Sequence, residues 1–377
     1  MLLPILGLLA LSFVLSASLT LAMIRIAPRL DFVDKPGGRK IHANPKPLGG
    51  GVAIFWAFAL PMVGALLVLP HLPPPPDSPM AQTSPEKRYF GDLQRGVKQQ
   101  TPMALTFLIA VLGLHVLGLI DDRKALGPYV KLVVQLLAAA AVVVPFQEMR
   151  VLTALGTGVS IILSILWIVA ITNAFNFLDN MDGLSAGVAA VAATAFLITT
   201  LLIGQWFVAA SLALLLGGLL GFLCFNFPPA RIFMGDSGSL VIGFILGVLT
   251  VRTTFLAPDQ DWGAGWYAVF APVIVLAVPL YDLIVVSLIR LSRGKSPFVG
   301  DTNHFSHRLV ARGMSRRTAV LCLYLLTAAT SIAAILLPHV RTPFAAVLIF
   351  IQTLLVLGVV ALLEQHPLPL AYREDEK

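Results

Sequence analysis

Asn173, Asn176, Asp179 and Asp182 stand where an apolar run, 161–170, gives out. Two carboxylates and two carboxamides at the mouth of a membrane span are costly to keep unless they do chemistry. Their spacing of three predicts one helix face and a shared cavity. Asp121 and Asp122 end a second apolar run, 103–120. Adjacent acids there repel each other unless a cation lies between them, so they read as a metal site or a base. Lys131 lies just inside the next run, where it must either pair or snorkel to the surface. Asp236, between Gly235 and Ser237, could simply cap a helix; beside the other acids, a metal ligand is the stronger reading.

Two basic segments complete the set. Residues 34–51 pack Arg39, Lys40, His42 and Lys46 among turn formers and end in Gly49–Gly51, which suits a phosphate-handling loop. Residues 290–318 carry His304, His307 and Arg308. Two imidazoles are too few ligands for zinc, whereas imidazole with guanidinium suits diphosphate oxygens. Mg2+ typically takes one or two protein carboxylates and fills its shell with substrate phosphates and water. The combination therefore points to phosphoryl transfer, with Mg2+ (or Mn2+) as cofactor and a lipid as one substrate.

The elements that must hold these residues are membrane helices. The 377-residue chain is 58% hydrophobic and only 12% charged, with mean hydropathy +0.88. A soluble protein would carry about a quarter charged residues. The expected architecture is an all-α polytopic integral membrane protein, one membrane-embedded domain over 1–377. Its eleven spans lie near 2–24, 48–70, 103–120, 129–145, 157–175, 184–203, 207–225, 237–256, 266–289, 319–337 and 344–363. No Lys or Arg precedes the first apolar stretch, while Arg25 and Arg29 follow it, which favours a first span with its N-terminus outside over a signal peptide. On that topology 19 of the 26 Lys and Arg residues are cytoplasmic, as is the C-terminus, and 7 are external. The chemistry-bearing clusters all fall on the cytoplasmic face. Residues 71–102 form an external loop, Pro-rich at its start, with room for a short surface helix. Cys224 and Cys322 sit in apolar runs and suggest neither a disulfide nor a metal site. The net charge of +7 reflects basic cytoplasmic loops rather than a nucleic-acid partner.

These motifs resemble those of the polyprenyl-phosphate N-acetylhexosamine-1-phosphate transferases, the superfamily of MraY and the WecA/TagO enzymes. The matching segments are R-K-I-H-x-x-P-x-P-x-G-G at 39–50, D-D at 121–122, N-x-x-N-x-x-D-x-x-D-G-L at 173–184, F-M-G-D-S-G-S-L at 233–240 and S-P-F-x-x-D-x-x-H-x-x-H-R-L at 296–309. The resemblance implies transfer of an N-acetylhexosamine 1-phosphate from a UDP-sugar to undecaprenyl phosphate, releasing UMP at the inner membrane. It implies Asp121, Asp122 and Asp182 as catalytic residues, with Asp121 a candidate base. Asp236, Asp122 and Asn176 would hold the metal. Arg39, Lys40, His42, Lys131, Asn173, Asn176, Asp179, Asp182, His304, His307 and Arg308 would bind substrates.

Ser306 stands where the WecA/TagO pattern H-x-H-H-R-L has its second His. MraY enzymes instead carry a run of His followed by an acid, which H-F-S-H-R-L lacks. The donor expected is therefore UDP-GlcNAc rather than UDP-MurNAc-pentapeptide. A cation-coupled transporter is the rival from another class. It would place buried charges mid-span and on both sides of the bilayer. Here the charges gather at cytoplasmic ends, with Asp282, near the inner end of the ninth span, the main exception, and it reads best as a structural partner for a nearby base. A homodimer is compatible with all of this.

Overall fold

The computed structural model describes residues 2–34, 45–72, 85–253, 255, 266–296, 303–340 and 342–364. Arg39, Lys40 and His42 lie outside the described residues. Each of the eleven expected segments contains a helix among its described residues. In chain order the helices are α1 (Leu2–Ile26), α2 (Gly50–Val68), α3 (Pro85–Arg123), α4 (Pro128–Val143), α5 (Thr157–Leu178), α6 (Leu184–Leu202) and α7 (Trp206–Asn226). They continue with α8 (Asp236–Arg252), α9 (Ala271–Val275), α10 (Ala277–Ser292), α11 (Phe305–Ala311), α12 (Arg316–Leu336) and α13 (Pro343–Leu363). Eight of the described helices are long and apolar enough to cross a membrane, and the segment 266–292 would make a ninth despite a bend of 68° between its two halves. With 16 and 17 residues, α4 and α8 are shorter.

α8 is the axis of the bundle. Every residue from Ser237 to Val251 is buried, and α2, α3, α5, α6 and α7 pack around it. An element apolar on all sides belongs in such a position. α1 lies along α7, where Ser12 Oγ donates to Leu214 O and Ser16 Oγ to Gly218 O, both at 2.6 Å. Hydroxyls that would be stranded in lipid are satisfied by the neighbouring backbone instead.

The external loop expected over 71–102 is shorter than the sequence suggests. α3 starts at Pro85 and runs unbroken for 39 residues to Arg123. Residues 85–101 are rich in Glu, Lys, Arg, Gln and Leu, all good helix formers, so the span extends into them. Any amphipathic surface helix is therefore continuous with the span. At the other end α3 carries Asp121 and Asp122 in its last turn, leaving only 124–127 before α4. A two-stranded ribbon, β1 (Val33–Asp34) with β2 (Lys46–Pro47), leads into α2.

Candidate active site

The end of α3, the starts of α4 and α8 and the end of α5 meet at one end of the bundle. Lys131 Nζ lies 3.2 Å from Asp121 Oδ2 and 2.8 Å from Asp236 Oδ2. Of the two fates open to Lys131, pairing is the one observed. Asn176 Nδ2 donates to Asp236 Oδ1 and to Ser239 Oγ, each at 2.9 Å. Asp236 thus joins α4, α5 and α8 through both carboxylate oxygens.

Asp121 and Asp122 have different partners. Asp121 Oδ1 accepts the Leu126 N–H at 2.7 Å, closing the short turn that brings Lys131 back over α3. Asp122 accepts the N–H groups of Asp236 at 2.7 Å and of Ser237 at 3.2 Å. The cap on α8 is therefore supplied by α3, and Asp236, the first helical residue, keeps its own side chain for the site. His115, one to two turns earlier on α3, is buried with Nδ1 2.9 Å from Ser237 O. A lone titratable residue inside an apolar run is the signal that would have found it.

The 173–182 motif does not lie on one helix face. α5 ends at Leu178, so Asn173 and Asn176 are helical while Asp179 (φ −78°, ψ 42°) and Asp182 follow the end. Four polar residues ahead of a Gly turn end the helix early; the chain then reverses through Gly183 (φ +72°) into α6. The motif divides its partners accordingly. Asn173 donates to Gln135 Oε1 on α4 at 2.6 Å, and Asp182 accepts the Ala230 N–H at 2.9 Å, tying down the segment that precedes α8. Asp179 accepts the Gly235 N–H, which favours its charged form. Burial above all, then Asp236, Asp122 and Asp182, push its carboxyl well above the ordinary carboxylate range.

That shift has a definite sign. A carboxyl whose folded pKa is raised contributes stability that is fully present below its unfolded pKa and is lost as pH rises through the folded value. In EDTA-treated protein the thermal midpoint should therefore fall as pH rises above the ordinary Asp range. Asp179→Asn should flatten that decline and raise the midpoint at neutral pH. Parallel midpoint-against-pH curves for parent and variant would exclude the effect.

Lys46 Nζ donates to Ala230 O, and the N–H groups of Gly50 and Gly51 donate to Phe233 O and Met234 O, both at 3.0 Å. A Cβ at Gly51 would lie 2.3 Å from Gly238 N. The close approach expected of Gly49–Gly51 is thus made to the protein's own backbone before α8.

The His loop sits beside this cluster. His304 is buried; its Nδ1 donates to Asp282 Oδ2 at 2.9 Å, and its Nε2 faces Arg290 Nη2 at 3.4 Å. Asp282 Oδ1 also accepts the Phe305 N–H at 2.7 Å, capping α11. Asp282 is the structural partner of a base, as its position suggested. Arg290 packs its guanidinium 4.9 Å from the Phe177 ring centre. His304 and His307 have ring centres 6.5 Å apart. His307 is half-buried, and burial, His304 and Arg316 lower its pKa. Arg308 instead reaches Glu364 Oε1 at 2.6 Å, anchoring the loop to the end of α13. Ser306 Oγ donates to Asn180 Oδ1 at 2.6 Å. The departure from the His pattern thus becomes a direct tie between the His loop and the Asn/Asp motif.

Among the described residues no three carboxylates or imidazoles form a ready metal cage. The donor set nevertheless suits Mg2+, which needs one or two carboxylates and completes its shell elsewhere. Asp236 and Asp121 already straddle a cation, the Lys131 ammonium.

Comparison with known proteins agrees with this geometry. Residues 104–254 match the family model described as glycosyl transferase family 4, a stretch that includes the Asp121, Lys131, Asn176 and Asp236 cluster. The chain is 32% identical over 338 residues to the probable undecaprenyl-phosphate N-acetylglucosaminyl 1-phosphate transferase of Bacillus subtilis, covering 87% of this chain and 83% of that protein. It is 33% identical over 322 residues to the decaprenyl-phosphate N-acetylglucosaminephosphotransferase of Mycobacterium tuberculosis, covering 80% and 74%. The phospho-N-acetylmuramoyl-pentapeptide-transferase of Moorella thermoacetica matches at 34% over only 215 residues, 51% of this chain and 66% of that one. With apolar helices that make it a multi-pass membrane protein, and with this acidic cluster at their end, the chain belongs to the polyprenyl-phosphate N-acetylglucosamine-1-phosphate transferase family.

Proposed function

We propose that the protein transfers GlcNAc 1-phosphate from UDP-GlcNAc to undecaprenyl phosphate, releasing UMP, and so begins a lipid-linked glycan of the cell envelope. The observation that carries this reading is the Asp121–Lys131–Asp236–Asn176 cluster at the end of the bundle. Its setting is the inner membrane, with eleven spans, the N-terminus outside, and the C-terminus and active site cytoplasmic.

An acceptor phosphate oxygen attacks the phosphorus that bears the sugar. A new P–O bond forms, the bridging oxygen–phosphorus bond of the donor breaks, and UMP leaves with the bridging oxygen. Mg2+, held by Asp236 with Asp121 and Asn176 beside it, would neutralise charge on the diphosphate. Lys131 orients a phosphate oxygen and is kept in place by its two carboxylates. A phosphate monoester has its second pKa near 6, so the acceptor is largely ionised at neutral pH. Asp121 already spends one carboxylate oxygen on the Leu126 N–H and the other on Lys131, which favours it as the residue that holds Lys131 rather than as a general base. Asp122 positions Asp236 by capping α8, and Asp182 and Asp179 shape the segment at 228–235.

His307, the imidazole of the loop with no hydrogen bond among the described residues, is placed to meet the donor. His304 uses both ring nitrogens inside the protein and acts by positioning the loop. His307→Ala should raise KM for the UDP-sugar about tenfold with kcat nearly unchanged. An unchanged KM would remove His307 from the donor site.

The function is tested by UMP release from UDP-GlcNAc and from UDP-MurNAc-pentapeptide, each with undecaprenyl phosphate and with or without Mg2+. Release with UDP-GlcNAc that disappears on chelation is expected. Release with the pentapeptide donor alone would overturn the assignment.

A further inference from the structure

α8 also meets a cavity at its far end. At its C-terminus a cavity of about 660 Å3 lies between α5, the turns at 147–155 and the segment 266–273. A helix of 17 residues rises about 24 Å, so this cavity is well away from Asp236. Its wall is largely apolar, with Trp167, Phe255, Trp266 and Phe270 as its aromatic residues, and Glu148, Arg150 and Arg252 supply its charges. Trp266 is 56% exposed and Phe270 39% exposed, so the wall continues onto the exposed surface of the bundle.

The two arginines differ. Arg150 is spent on the end of α4, its Nε donating to Val143 O at 3.1 Å and its Nη2 to Val144 O at 2.5 Å. Arg252 makes one long hydrogen-bond contact, 3.5 Å from Nη2 to Gln100 Oε1, and lies within electrostatic reach of Glu148. Its Nε is buried and has no acceptor. The C-terminus of α8 favours a cation there, which accounts for the charge but not for an idle buried N–H. Such a donor normally costs enough stability that an acceptor is found for it.

We propose that this cavity binds one anionic lipid, its phosphate on Arg252 and its chain along the Trp167, Trp266 and Phe270 wall. Amphipathic aromatics at a bilayer interface suit an apolar chain joined to a polar head. Two sources share this chemistry, a bulk anionic phospholipid and a polyprenyl phosphate. The site stands on its own geometry and does not depend on the reaction assigned to the acidic end.

The test is native mass spectrometry of delipidated full-length protein titrated with phosphatidylglycerol, with phosphatidylcholine or with farnesyl phosphate. Phosphatidylglycerol should bind in preference to phosphatidylcholine. Arg252→Gln should weaken its binding about tenfold, and Leu163→Trp, which fills the cavity, should do the same. UMP release by both variants should stay near the parent rate, showing that each is folded. Farnesyl phosphate competing at the Arg252-sensitive site would identify a polyprenyl phosphate as the occupant; failure to compete would identify bulk phospholipid. Equal binding of phosphatidylglycerol to the parent and Leu163→Trp, or no preference over phosphatidylcholine, would overturn the site even if Arg252→Gln failed to fold.

Discussion

Asp236→Asn is expected to slow UMP release about a thousandfold while the protein still inserts and unfolds at a near-normal temperature. The asymmetry follows from how Asp236 is held. Its backbone N–H is capped by Asp122 at 2.7 Å, and that bond survives a change of side chain. Asn is nearly isosteric with Asp, so the packing at the start of α8 also survives. What disappears is the negative charge that Lys131 approaches to 2.8 Å and that Asn176 contacts at 2.9 Å. Lys131 would retain only Asp121 at 3.2 Å, and Mg2+ would lose a carboxylate that would hold it. Asp121→Asn should show a loss of similar size, because Lys131 then loses the partner that fixes it from α3. The measurement is initial UMP release at saturating donor and Mg2+, with thermal midpoint as the folding control. Near-parent, Mg2+-dependent activity in Asp236→Asn would remove this carboxylate from the reaction.

Much of this site is legible in the sequence because polar residues inside apolar runs are rare and therefore informative. Asp121, Asp122, Asn176 and Asp236 announce themselves in that way, and so does the grouping of their clusters on one face. The partners are less legible. Lys131 could snorkel or pair, and only the turn closed by Asp121 and Leu126 decides it. A helix cap is the simpler reading of Asp236, and the cap is in fact Asp122, 114 residues away in sequence. Pairings set by packing leave no local trace. The single helix face expected for 173–182 fails because periodicity does not say where a helix stops. Gly183 with its positive φ begins the next helix only after the chain has turned. The helical run is likewise visible only as far as its hydrophobicity, so the polar first third of α3 passes for a loop. His304 illustrates the remaining limit: its type suggests contact with a substrate, whereas Asp282 and Arg290 occupy both of its nitrogens.

The second large effect is expected from a residue with no chemistry at all. A Cβ at Gly118 would lie 2.3 Å from Ser237 N and 2.5 Å from Asp236 C. Those are backbone atoms at the start of α8 and cannot rotate away, so Gly118→Ala must displace one helix end from the other. Asp122 is one turn further along the same face of α3 and holds the same two residues through their N–H groups. The displacement would stretch both capping bonds and carry Asp236 off Lys131 and Asn176. Overpacking of this kind costs about 1–3 kcal/mol of stability, but misplacing a catalytic carboxylate by about 1 Å costs on the order of a hundredfold in rate. Turnover should therefore fall far more than the thermal midpoint. Gly113→Ala is the matched control on the same helix, since a Cβ there meets nothing within 4 Å. It should leave kcat unchanged and tend to raise the midpoint, because Ala favours helix over Gly by about 1 kcal/mol. If Gly118→Ala kept parent kcat, the close contact between α3 and α8 would be packing alone, and the position of Asp236 would have to be set by α4 and α5 through Lys131 and Asn176.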